Sequence, residues 1–181
     1  MEVIHLQTPL KQEDVKGLRA GDYLLISGIM YTARDSAHRR MIEALDNHRP
    51  LPIPLPGSII YYAGPAPAPP GKPIGSIGPT TSYRMDSYAP RLIEEGLSMM
   101  IGKGSRNKLV QQAMIDHEAV YCAAWGGAGA LLAGCVKNAK CIAYEELGPE
   151  AIYELEVENF PVMVVNDTIG QDAYELMGGQ Q

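Results

Sequence analysis

Three short stretches of the chain hold side chains able to grip an anion and act on it. Arg34 and Asp35 are followed by His38. Gly78-Pro79 leads into Thr80, Thr81, Ser82 and Arg84, with Asp86 closing the run. Lys103 stands between Gly102 and Gly104. A guanidinium presents a planar fork that pairs with a carboxylate through two hydrogen bonds, and an ammonium adds a compact point charge. Two arginines and one lysine therefore suit a ligand with two carboxylates. Hydroxyls beside a helix start add donors where free backbone N–H groups and the helix dipole already favour an anion.

Each residue has a plainer role open to it. Arg34 could be a surface cation near a turn. Asp35 is a good helix N-cap. His38 could pack or cap as readily as catalyse. Thr80 and Thr81 could cap the next helix. Lys103 invites a phosphate-loop reading, but Leu97 occupies the first glycine position of that pattern, and Gly104 stands where Ser or Thr should follow the lysine. Gly127-Ala128-Gly129 fails as a dinucleotide fingerprint because Leu132 takes the third glycine's place. The three stretches gain weight from sharing one context: each falls between an apolar run and a helical pattern.

The elements that must position them can be read in order. Residues 23–31 form a near-continuous apolar run with β-formers, a strand buried on both faces that feeds Arg34. Behind Asp35, Ala37, Met41, Ala44 and Leu45 recur at helical spacing. Residues 58–63 read as a strand, and 74–77 as a short strand running into Gly78-Pro79. A helix is expected over 86–95, capped by Asp86 or Ser87, with Pro90 in its first turn and Gly96 at its end. Residues 97–101 form a strand that runs into Lys103, and a helix over 106–118 turns Leu109, Val110, Ala113 and Met114 inward. A strand over 119–124 leads to a fourth glycine loop at 125–129 and a small-residue helix to about 136. The remaining elements are a strand at 3–6, a turn within 11–18, a strand at 140–144, a short helix over 145–153 and late strands at 155–157 and 161–166. The proline runs at 47–56 and 64–73 are connectors.

This is an α/β chain of strand–loop–helix units, and ligands of open α/β sheets bind at the carboxyl ends of the strands. If the three strands neighbour each other, Arg34, Arg84 and Lys103 converge. Residues 1–170 are expected to form one domain, with 171–181 a polar, frayed tail.

The totals exclude several classes. With 181 residues, 46% hydrophobic and 20% charged, the chain can bury an ordinary globular core. A net charge of −6 argues against a general nucleic-acid or membrane-surface binder. No apolar run is long enough to span a membrane, and no signal peptide is seen. Cys122, Cys135 and Cys141 match no zinc or redox spacing, so a disulfide framework is not expected and a reducing cytoplasm fits better. Three cysteines could in principle hold an iron–sulfur cluster with one open iron. Cys135, read as an interior helix position, favours buried small hydrophobes instead.

Taken together, the residues 31–40 (Tyr-Thr-Ala-Arg-Asp-Ser-Ala-His-Arg-Arg), Gly64-Pro65, 78–86 (Gly-Pro-Thr-Thr-Ser-Tyr-Arg-Met-Asp), Gly102-Lys103-Gly104 and Gly126-Gly127 resemble the C-terminal domain, or β subunit, of class I iron–sulfur fumarate hydratases. The related L-tartrate dehydratase β subunits are similar. The resemblance spans nearly the whole chain and rests on separate motifs in the right order. It implies a swivelling β/β/α domain that closes on a cluster-bearing partner, in an α2β2 assembly, with a homo-oligomer open to the isolated chain. The 4Fe–4S cluster would be held by cysteines of that partner, so this chain would supply no metal ligand and would be inactive alone. By the family pattern Thr80 exchanges the proton on the substrate carbon, Arg34, Arg84 and Lys103 grip the carboxylates of fumarate or malate, and His38 is an active-site residue of less defined role. Threonine is a poor base in water, and serves only where cations such as Arg84 and Lys103 favour its alkoxide. Two alternatives stay open: tartrate dehydration by the same parts, and a stand-alone dicarboxylate or phosphate binder with no chemistry.

Overall fold

The computed structural model describes residues 2–178. Its strands are β1 (Val3–Gln7), β2 (Tyr23–Thr32), β3 (Ile59–Tyr61), β4 (Met99–Gly102), β5 (Val120–Ala123), β6 (Val136–Ala143) and β7 (Ile152–Asn166). Its helices are α1 (Gln12–Gly17), α2 (Asp35–Asp46), α3 (Ala89–Glu94), α4 (Lys108–His117), α5 (Gly129–Ala133) and α6 (Ala173–Leu176), with 3-10 turns at Ser82–Met85 and Glu145–Glu150. The fold is α/β.

One sheet runs in the order β1-β2-β3-β4-β5-β7-β6, and β2 also pairs with β7. The pairings β1–β2, β2–β3, β3–β4 and β4–β5 are parallel, whereas β7 is antiparallel to β2, β5 and β6. The second β2–β7 pairing closes β2, β3, β4, β5 and β7 into a circuit. Because side chains alternate across a strand, that closure makes two cores. Inside the circuit lie Leu24, Ile26, Met30, Tyr61, Ile101, Cys122 and Phe160, with Tyr61 and Phe160 edge-to-face at 5.2 Å. Outside it, Tyr31, Ile60, Tyr62, Met100 and Tyr121 pack under Ala37, Met41, Leu92, Ile93, Val110 and Met114 of the helices. Burying each large apolar side chain contributes about 1.5–3 kcal/mol, so both layers hold the strand ends in place.

The structure departs from the sequence reading in definite places. The expected 155–157 and 161–166 strands are one 15-residue strand, β7; Pro161 sits within it opposite Leu25. The expected helix over 145–153 is a 3-10 turn, broken by Gly148 at φ 60° and Pro149. Residues 74–77 form no ladder. There Ile77 donates its N–H to the Gly129 carbonyl at 3.2 Å and accepts the Tyr61 hydroxyl at 2.5 Å. The expected 86–95 helix is shortened to α3, preceded by a 3-10 turn that ends at Met85, and Asp86 is turned inward rather than capping. Leu109, expected inward, is 73% exposed at the start of α4, whose cap is Asn107. Cys135 lies beyond α5, in the turn to β6, rather than inside a helix. Within the expected tail, Asp172 caps α6 by accepting the Tyr174 N–H at 2.8 Å, and Ala173 is buried. The end of that tail, 179–181, lies outside the described residues.

Candidate functional site

The carboxyl ends of β2, β3 and β4 lie side by side; the first stretch leaves β2 and the third leaves β4, whereas the second is fed by no strand and comes back to them through the long loop after β3. Arg34 follows β2 and holds the N-cap position of α2 in an extended conformation. Asp35 is therefore the first helical residue and not the cap. Arg34 lies against the exit of β3: a Cβ added to Gly64 would stand 3.1 Å from Arg34 Nη1 and 2.9 Å from the Pro149 carbonyl oxygen. The Arg34 carbonyl accepts both the His38 backbone N–H at 2.9 Å and the His38 ring at Nδ1, 2.8 Å away.

A carbonyl only accepts, so the proton of neutral His38 sits on Nδ1 and Nε2 presents a bare lone pair. His38 is fully buried, edge-on to Tyr62 at 5.3 Å and tilted against Tyr88 at 6.0 Å. Burial lowers its pKa to about 4; the bond to the Arg34 carbonyl and the charge of Asp35 oppose that shift, and the charge of Arg106 adds to it. The ring is thus neutral at physiological pH. Three buried polar atoms around this helix start have no hydrogen-bond partner among the described residues: Arg34 Nε, Asp35 Oδ1 and His38 Nε2. Buried donors and acceptors are rarely left unpaired, which marks this cluster as a candidate contact for a bound group or water.

Tyr62 links the first stretch to the second. While its ring touches His38, its carbonyl accepts the Thr80 N–H at 2.7 Å. The next residues cross the end of β4: Thr81 bridges Lys103, and the Ser82 N–H donates to the Lys103 carbonyl at 2.9 Å. Thr81 precedes the 3-10 turn but makes no side-chain capping bond, so capping does not explain it. The approach to β4 requires Gly102, because a Cβ there would run into Ser82 Oγ and lie 2.9 Å from the Tyr62 ring. Gly129 is required in the same way, since its Cβ would strike Ser76 Oγ beside Gly78. The fourth glycine loop is thereby pressed against the Gly78 turn.

Thr80 is half-buried and Arg34 likewise, whereas Arg84 and Lys103 are exposed. Among the described residues none of the three cations forms a salt bridge. Lys103 also lines a cavity of about 370 Å³ with Tyr23, Trp125, Met163 and Tyr174, where Trp125 stacks on Tyr23 at 6.2 Å. The structure joins Arg34, His38, Thr80 and Lys103 through a continuous set of contacts. Arg84 stands on the outer side of the 3-10 turn, free for a group that approaches from solvent.

Sequence reasoning missed Arg106. It is buried and paired with Asp86 at 2.7 Å beneath these loops. The available signal was a charged pair, Asp86 and Arg106, each following one of the loops.

The cysteines do not converge. Cys122 is enclosed in the inner core, where burial pushes its thiol pKa up; Cys135 sits past α5 and Cys141 on β6. Among the described residues no group of three His, Cys, Asp or Glu side chains is placed to hold a metal ion. The described residues therefore offer no ligand set that fits an iron–sulfur cluster.

A family model described as Fumarase C-terminus matches residues 1–177. The chain is 43% identical over 154 residues to an aerobic class I fumarate hydratase of Escherichia coli, covering 84% of this chain and 28% of that protein. It is 43% identical over 156 residues to fumarate hydratase 2 of Leishmania major, again covering 28% of the relative. The chain thus spans little more than a quarter of the length of these relatives. A putative L(+)-tartrate dehydratase subunit beta of Methanocaldococcus jannaschii is also 43% identical, over 176 residues, covering 92% of this chain and 88% of that protein.

Proposed function

The chain belongs to the fumarase C-terminus family, and from that premise we propose that it is the β subunit of a heteromeric class I fumarate hydratase, which hydrates fumarate reversibly to L-malate with a separate α subunit. One observation supports the reading: at the carboxyl ends of adjacent parallel strands Arg34 lies near Gly64, the Thr80 amide is held by the Tyr62 carbonyl and Thr81 bridges Lys103, and among the described residues neither Arg34, Arg84 nor Lys103 forms a salt bridge. The match along most of a subunit-sized relative supports the heteromeric form.

In this reading Arg34, Arg84 and Lys103 hold the two carboxylates. Removing a proton beside a carboxylate spreads negative charge onto it, so fixed cations stabilise that state more than the substrate. Thr80, its amide fixed on the Tyr62 carbonyl, stands at the carbon that gains or loses the proton. His38 offers neutral Nε2 as an acceptor and orients Arg34 through the shared carbonyl. The cluster implied by the family is assigned to the α subunit, because the cysteines here are buried or apart. The domain is proposed to swivel onto that subunit as a single unit ending near residue 170, within an α2β2 assembly. A cytoplasmic site is part of the proposal; no helix among the described residues is long and apolar enough to cross a membrane.

The test is anaerobic co-production with the candidate α subunit, followed by malate and L-tartrate assays. Fumarate formation that Thr80→Ala abolishes in an intact complex is the expected result. Full activity in Thr80→Ala would remove Thr80 from the mechanism. Faster turnover of L-tartrate would establish the second reading, which the archaeal relative favours.

A further inference from the structure

Arg106 has no part in the chemistry above, yet its side chain is wholly enclosed. Nε donates to Asp86 Oδ1 at 2.7 Å, Nη2 donates to the Tyr62 hydroxyl at 3.1 Å, and Nη1 reaches Met100 Sδ at 3.5 Å. The guanidinium carbon lies 5.1 Å from the Tyr62 ring centroid and 4.8 Å from that of Tyr121. A planar cation stacks on such rings and donates in its own plane at the same time; an ammonium cannot do both.

Three of the groups around Arg106, namely Tyr62, Tyr121 and Asp86, also hold a piece of the candidate site. The Tyr62 carbonyl fixes Thr80. The Tyr121 hydroxyl donates to the Gly104 carbonyl at 2.9 Å. Its one proton being so placed, Ser82 Oγ must be the donor in the 2.8 Å bond between Ser82 and Tyr121. Asp86, two residues past Arg84, accepts the Asn107 N–H at 2.9 Å with its second oxygen.

We propose that Arg106 is the positioning residue of the site: by clamping Tyr62, Tyr121 and Asp86 together it sets Thr80, Arg84 and Lys103 in one mutual geometry. The proposal rests on the assignment of those three residues to the dicarboxylate site. A buried ion pair of the core alone would stabilise the fold without tuning these loops, so the two roles differ in where the molecule loosens.

The experiment is Arg106→Lys in the full chain, read by site-resolved amide hydrogen exchange. The Thr80, Ser82 and Asn107 amides should exchange at least about tenfold faster, while those of β2 and β7 stay within about twofold of wild type. Unchanged exchange in the loops would overturn the proposal, and so would an equal loss of protection across β2 and β7. Should Arg106→Lys fail to fold, Tyr121→Phe deletes only one hydroxyl and must loosen the Ser82 amide in the same way. In the assembled enzyme, Arg106→Lys should lower kcat for malate at least about tenfold with a smaller change in KM; an unchanged kcat counts against positioning. A wild-type complex that turns over neither malate nor tartrate would refute the functional reading, and the exchange data would still decide whether Arg106 orders the loops.

Discussion

His38 gives a pH signature that follows from its burial. Its folded-state pKa is about 4, against 6.5 for an unconstrained histidine. Between those values the unfolded chain binds a proton that the folded chain refuses, so stability rises with pH across the window. The contribution is fully present above about pH 6.5 and is lost as pH falls towards 4. Linkage makes the loss about 2 kcal/mol at pH 5 and about 3 kcal/mol at pH 4. Other groups titrate in the same range, so the comparison is with His38→Asn, which keeps an N–H for the Arg34 carbonyl and has no proton to gain. Urea midpoints of both proteins at pH 7.5 and pH 5 measure the difference. Wild type should lose about 2 kcal/mol relative to the variant, a relative midpoint shift of roughly 1 M for a protein of this size. Parallel pH dependences would mean that His38 protonates inside the fold as easily as outside it. The neutral Nε2 acceptor would then be lost from the site's description.

Two further substitutions test the loops. Arg84→Ala in the assembled complex should lower kcat/KM for malate by at least about thirtyfold, the loss of about 2 kcal/mol expected for a desolvated clamp; a change below about tenfold would place Arg84 outside the site. Gly102→Ala should cost about 1–3 kcal/mol in urea unfolding, because its Cβ meets Ser82 Oγ. Combining it with Ser82→Ala should cost less than the sum of the two single changes, and additive losses would show that the contact is not the cause.

The strand-to-loop frame was legible because β2, β4 and β5 are written as apolar runs ending in glycine or charge, and helix α2 repeats its apolar residues at the right spacing. Periodicity could not supply the closure of the sheet. It depends on β7 running unbroken through Pro161, a residue that reads locally as an interruption and is tolerated opposite Leu25. The same kind of limit applies at Asp86. An acidic residue before a helix looks like a cap, and only the arrival of Arg106 from twenty residues away turns it inward. Leu109 shows the converse: its spacing matched Val110 and Met114, but the layer beneath α4 has room for one stripe, and Leu109 falls outside it. Cations that make no internal pairs were visible as residue types, while their being unpaired was a property of the folded chain alone.

That last property bears on how an acidic protein presents a site for an acidic ligand. The net charge is −6, and several cations away from the site are engaged: Lys16 with Glu118, Arg40 with Glu146, Arg91 with Asp46 and Lys137 with Glu158. These exposed pairs add little stability. Arg34, Arg84 and Lys103 are in no such pair among the described residues, and in the proposed reading they supply the local positive charge that steers a dianion to the strand ends. Arg106 sits below that edge with its charge already matched by Asp86, so it can order the loops without competing for the ligand. The division follows from depth. A cation wholly enclosed needs its partner within the chain. In the proposed reading, cations at the rim keep theirs open for the substrate.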